Sequence, residues 1–101
     1  MTRPYQIFDS SDPLVFDGNV AVCFIIQMNS YAKGARIRNI APGVFYTFIF
    51  HQDGTGGHEF EWPGACLNAP AIGLDPNLST VQNFIGVPGG YMQANIPGTR
   101  H

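Results

Sequence analysis

The sequence predicts an all-β fold: a small antiparallel β-sandwich of jelly-roll type with extended N- and C-terminal arms. Three observations point there. Short runs rich in β-branched and aromatic residues are separated by Gly/Pro turns about every eight to twelve residues, the rhythm of a sandwich or small barrel. The run Val-Phe-Tyr-Thr-Phe-Ile-Phe-His at 44–51 and the strictly alternating His-Glu-Phe-Glu-Trp at 58–62 flank Gln52-Asp53-Gly54-Thr55-Gly56-Gly57, and together read as a β-hairpin with an elaborate turn. No apolar spacing of three and four persists long enough for a helix, and Pro70, Gly73 and Pro76 break the one long irregular stretch.

The elements follow in order. Residues 1–12 read as an N-terminal arm, because apolar residues are few and Asp9-Ser10-Ser11-Asp12-Pro13 is turn chemistry. The sandwich domain is expected over residues 13–96. Its strands begin with 14–16, closed by Asp17-Gly18-Asn19, and continue with 20–28, apolar at nearly every position as in a strand covered on both faces. After a turn at 29–34 comes 35–40, with Ile37 and Ile40 apolar and Arg36 and Arg38 turned away. Ala41-Pro42-Gly43 leads into the first hairpin strand. There Val44, Tyr46, Phe48 and Phe50 fall on one face, and Phe45, Thr47, Ile49 and His51 on the other. In the partner strand Phe60 and Trp62 point inward while Glu59 and Glu61 meet solvent. Residues 65–79 are irregular, 80–87 and 91–96 are strands joined by Pro88-Gly89-Gly90, and 97–101 form a tail.

Bulk properties limit the function. A chain of 101 residues is one domain with a modest stability margin. Hydrophobic residues make up 45 % and aromatics 13 %, enough for a core. Charged residues are only 12 %, roughly half the usual share, as if part of the surface were covered by another copy. With a net charge of −2, and only Arg36 and Arg38 close together among five basic residues, a phosphate-tracking stripe for nucleic acid is not expected. Met-Thr-Arg-Pro-Tyr-Gln lacks the apolar stretch of a signal peptide, and the run 20–26 is too short to span a bilayer.

Reactive constellations are sparse. His51 and His58, with Glu59 or Glu61, sketch a zinc site, but the same residues suit solvent-facing positions at the mouth of a hairpin. Calcium at Asp53 lacks neighbouring carboxylates. Cys23 sits in an apolar run, where it acts as a small hydrophobe and a thiolate is disfavoured. A Cys23–Cys66 bridge is the alternative use of the two cysteines. The reading is therefore of a protein that is not an enzyme, with no catalytic residue, metal or cofactor. Gln52, Asp53 and Thr55 are expected to satisfy the turn, Asp53 by accepting amide hydrogens and Gln52 by bonding backbone nearby.

The order Gly43-x-x-Tyr46-Thr47-Phe48-x-Phe50-x-Gln52-Asp53-Gly54-Thr55-Gly56-Gly57, then Trp62-Pro63, Leu78-Ser79-Thr80 and Gly89-Gly90-Tyr91, resembles a module of tailed-bacteriophage structural proteins. The likeness covers about residues 14 to 96. Where that family often carries a lysine-tryptophan pair after Pro63, this chain has Ala65-Cys66-Leu67-Asn68. The resemblance implies a virion protein assembled in the host cytoplasm: a trimeric capsid decoration (cement) protein that bridges capsomers on the capsid surface and binds the major capsid protein. The alternative is a tail-fibre or spike-associated protein that recognises a host surface glycan. For self-association the expected residues are Phe45, Tyr46, Ile49 and Tyr91. For capsid contact they are Tyr5, Ile7 and Phe8. Trp62 is expected in the core.

Overall fold

The computed structural model describes residues 5–94. The expected tail at 97–101 and the first four residues of the expected arm lie outside them. Eight strands form: β1 (Tyr5–Asp9), β2 (Val15–Asp17), β3 (Cys23–Met28), β4 (Arg36–Arg38), β5 (Phe45–Gln52), β6 (Cys66–Leu67), β7 (Ser79–Val87) and β8 (Tyr91–Ala94). Among the described residues there is no helix.

Six strands make one sheet in the order β1-β3-β5-β7-β8-β6, and β2 and β4 form a separate two-stranded ribbon. The large sheet is mixed, not antiparallel throughout. β1, β3 and β5 run parallel, β5, β7 and β8 pair antiparallel, and β8 runs parallel to β6. Parallel neighbours need long crossovers. Here the two crossovers, residues 10–22 and 29–44, carry β2 and β4, which pair with each other in parallel.

The ribbon lies over one face of the sheet. Phe16 of β2 is fully buried, with its ring 5.0 Å from Phe8, 5.2 Å from Phe24 and 5.0 Å from Phe48. The segment after the glycine turn completes the cover. Phe60 lies 4.7 Å from Phe50, and Trp62 lies 5.4 Å from Phe48 and 5.1 Å from Phe84. The Trp62 indole N–H donates to the Pro70 carbonyl at 2.8 Å, so the one polar atom of this packed ring system is satisfied.

This arrangement corrects the expected hairpin. Both edges of β5 are occupied, by β3 and β7, so residues 58–62 cannot pair with it. They fold over the inner face instead, held to the sheet layer's loops by a single parallel bridge between Ala32 and Phe60. The inward reading of Phe60 and the outward reading of Glu59 and Glu61 hold, without a ladder. The expected arm is also corrected. Tyr5–Asp9 is an edge strand of the main sheet, because Gln6 and Phe8 alternate with Tyr5 and Ile7 and Phe8 adds to the core. The run 20–28 is covered on one face only: Phe24, Ile26 and Met28 are buried, while Cys23 and Ile25 are half-exposed.

Close approach of backbone requires glycine at position 86. Gly86 is the next-to-last residue of β7, where its N–H donates to Val44 O and its carbonyl accepts from Gly43 N. A Cβ there would sit 2.0 Å from the Ala41 carbonyl oxygen, which is backbone and cannot swing aside. Gly86→Ala is therefore expected to destabilise the domain by about 1–3 kcal/mol, the range of an overpacked core position. Urea unfolding at neutral pH followed by tryptophan fluorescence reads this. An unchanged midpoint would contradict the packing described.

Candidate functional site

Two regions concentrate the residues singled out from the sequence: the glycine turn and the outer face of the large sheet. The turn is a closed structural unit. Gln52 is the last residue of β5 and shares the parity of Tyr46, Phe48 and Phe50, so its side chain points inward and is 1 % exposed. Its Nε2 donates to His58 O at 2.7 Å and Gly73 O at 3.1 Å, and its Oε1 accepts from His58 N at 3.1 Å. The amide thus pins the returning loop to the covering segment. Asp53 Oδ1 accepts from the Thr55 and Gly56 amides, each at 3.0 Å, and lies 3.0 Å from His58 Nε2. Gly56 and Gly57 adopt φ of 71° and 77°, and the Gly57 amide donates to Leu74 O at 2.7 Å. All bonds of Gln52 and Asp53 named here stay within the chain, so the motif builds the fold.

Asp53 and His58 are the titratable pair that this region brings together. His51 points to the other face of β5, where its Nδ1 is 2.8 Å from Ser79 Oγ, so it does not converge with His58. Among the described residues no three His, Cys, Asp or Glu side chains are placed to hold a metal ion. Both cysteines are free. Three strands separate Cys23 from Cys66, a span of about 19 Å, and the residues lie on opposite faces, far outside disulfide geometry within one chain. Burial raises both thiols, Cys66 to about 12, which leaves little thiolate at neutral pH.

The outer face is different. No outward-facing residue of β3, β5 or β7 is buried. Register sets Ile7, Ile25, Ile49 and Val81 side by side in one row across four strands. The ends of that row, Ile7 and Val81, are 57 % and 58 % exposed. Phe45, 61 % exposed, and Ile85 form a second apolar pair on the same face. Beside Phe45 is a recess of about 470 Å³ lined by Val22, Cys23, Gly43, Val44 and Thr47. Asp9 at the margin is the one carboxylate among the described residues of this face, and it carries no Lys or Arg.

The expected contact residues divide accordingly. Phe45 and Ile49 lie on the outer face, as does Tyr91, which is 47 % exposed on β8. Tyr46 does not: it is 1 % exposed, and its hydroxyl accepts the Ala41 amide hydrogen at 2.9 Å, so it is a core residue. Tyr5 and Ile7 are exposed on the edge strand, but Phe8 is buried against Phe16 and Phe24 and is unavailable for capsid contact. Sequence reasoning missed Ile7–Ile25–Ile49–Val81 as a unit, because the row exists only once the strands are in register. Comparison with protein-family models, curated proteins and solved structures gives no match for this chain.

Two expected outcomes follow from the turn and its neighbours. Gln52→Leu removes the partner of one buried N–H and two carbonyls, and is expected to lower stability by roughly 3 kcal/mol. Denaturant unfolding checks this, and limited proteolysis near residues 53–58 should accelerate in parallel. The second outcome concerns acid. Asp53 is held below its ordinary 3.8 chiefly by the Gly56 amide, Asp9 by the Ser11 hydroxyl and amide, and Asp17 chiefly by Asn39. Arg38, 3.6 Å from Asp17 but largely exposed, adds least there. With folded values depressed, the unfolded chain takes up protons first as pH falls. The stabilisation is thus complete above about pH 5 and is lost as pH falls through the carboxylate range below about pH 4. Melting temperatures measured from pH 7 to 3 should show that drop, and Asp53→Asn should flatten part of it.

Proposed function

We propose that this protein is a virion structural subunit of the tailed-bacteriophage type, a capsid decoration (cement) protein that associates with its own copies and seats on the major capsid protein at the capsid surface. The observation that carries this reading is the outer sheet face, which exposes a row of aliphatic side chains and almost no charge, on a domain whose aromatic core lies entirely on the other face. A soluble domain seldom leaves a contiguous apolar patch of this kind without a partner for it. The sequence resemblance supplies the class of assembly, and the turn motif that carries it is spent on the fold. In the same reading the β2–β4 ribbon and the segment over Phe48 act as the second layer of a reduced β-sandwich.

The role expected of such a subunit is mechanical. Apolar contact across capsomer joints strengthens the shell without chemistry, and a rigid sheet transmits load along its strands. The test is cosedimentation of the purified protein with expanded empty heads, followed by electron microscopy of labelled protein on virions. Saturable binding in many copies over the head is expected. Label confined to the tail, or no binding to expanded heads, would overturn the decoration reading.

A further inference from the structure

The geometry points to a two-fold pair of this chain in which the outer sheet faces of two copies pack against each other, with the two-fold axis running along the strands between β3 and β5. The inference rests on the reading above only for the expectation that copies associate, and it sets a two-fold pair in place of the trimer that the sequence resemblance implies; the surface and its occupant come from the sheet itself.

The register supplies the complementarity. A two-fold axis in that position lays each β3 over the other copy's β5, and each β1 over the other copy's β7. Ile25 then faces Ile49 of the second copy, and Ile7 faces its Val81, so the whole apolar row meets itself. Such a contact is isologous, each patch serving both sides, and it closes at two copies. Phe45 is the knob that this packing requires. It stands one step along β5 from Thr47, whose register partner on β3 is Cys23. Turning about the axis carries Phe45 over the start of β3 in the second copy, where the recess of about 470 Å³ lies between Val22, Cys23 and Thr47. The recess straddles the axis, walled by Val22 and Cys23 on one side and by Gly43, Val44, Thr47 and Phe45 itself on the other, so each Phe45 enters on the Val22–Cys23 side, beside the Phe45 of the other copy.

Charge favours a second copy over other occupants. The face offers no cation to a phosphate-bearing partner and a single carboxylate at its margin, so a like face is its best electrostatic match. The overlap is set by the five residues of β1 and the six of β3; at about 3.3 Å per residue and 4.8 Å between strands it gives a footprint on the order of 350 Å² per copy, the size of a weak, reversible contact, to which Phe45 adds. Stacked sheets pack about 10 Å apart with interdigitating side chains, a spacing that Ile, Val and Phe fill well. The pair leaves β8 and β6, with Tyr91 and Leu67, beyond the overlapped strands.

Sedimentation equilibrium of the full chain at about 1 to 100 μM is the test. The expected result is a species of twice the 11.0 kDa chain mass at the upper concentrations. Val81→Lys and Ile7→Lys change exposed positions and should leave the circular dichroism spectrum unaltered while weakening association at least tenfold. Arg36→Glu, on the ribbon of the opposite layer, should leave it intact. Maleimide labelling of Cys23 gives a second readout: slow in the wild type at high concentration, faster in Val81→Lys. A monomer throughout the range, a three-chain mass, or a pair insensitive to both lysine variants would overturn the inference. A pair that fails to bind capsid heads would instead overturn the decoration reading alone.

Discussion

The structure depends on covering one side of Phe48. Its ring lies within 5.0–6.2 Å of Phe16, Phe24, Phe50, Trp62 and Phe84, which arrive from five separate parts of the chain. A domain of this size buries about two-thirds of its unfolded surface and has little to spare, so a single dense aromatic cluster carries much of the stability. Edge-to-face pairs add about 0.5–1.5 kcal/mol each beyond area burial. The cover is mostly irregular backbone, which has no ladder of its own to hold it. The Gln52 amide and the Trp62 indole supply that hold: Gln52 donates to the part-buried carbonyls of His58 and Gly73, and Trp62 donates to the Pro70 carbonyl.

The same strand explains why the opposite face is open. Along β5 the parity that sends Tyr46, Phe48, Phe50 and Gln52 inward sends Phe45, Thr47, Ile49 and His51 outward. All the aromatic cover lies on the inner side. The outer side keeps aliphatic residues of the kind normally found in the middle of a two-layer fold, and no described segment crosses it. The low charge of the sequence has its structural counterpart here: a whole face of the molecule is built without Lys or Arg among its described residues.

Much of this was legible in the sequence, and the rest was illegible for definite reasons. The runs that became β2, β3, β4, β5, β7 and β8 were readable because alternation and turn residues are local signals. Strand β1 was not, since Asp9-Ser10-Ser11-Asp12-Pro13 made its whole neighbourhood look like a turn and its pairing with β3 lies beyond a crossover. The parallel core was illegible for the same reason: register between β1, β3 and β5 is a long-range property that no window of residues contains. The expected hairpin failed because both edges of β5 were claimed by distant strands. Parity did carry an unused signal, however. Tyr46 and Gln52 fall on the same side as Phe48 and Phe50, which marks both as inward residues despite their polar atoms.

Rigidity links the packed face to the open one. Outer side chains on β3, β5 and β7 stand on backbone that is hydrogen-bonded on both sides and pinned from beneath by the aromatic cluster. Ile and Val are restricted at χ1 by branching, so ordering them against a partner surrenders little further freedom. The usual entropic penalty of forming an interface, about 0.5–1.5 kcal/mol for each mobile side chain immobilised, is therefore small for this row. A modest footprint can then hold a specific contact, because most of the ordering was completed when the inner face closed. In the proposed pair, loosening the inner cluster would weaken association from a distance, through the same strand that presents Phe45 and Ile49.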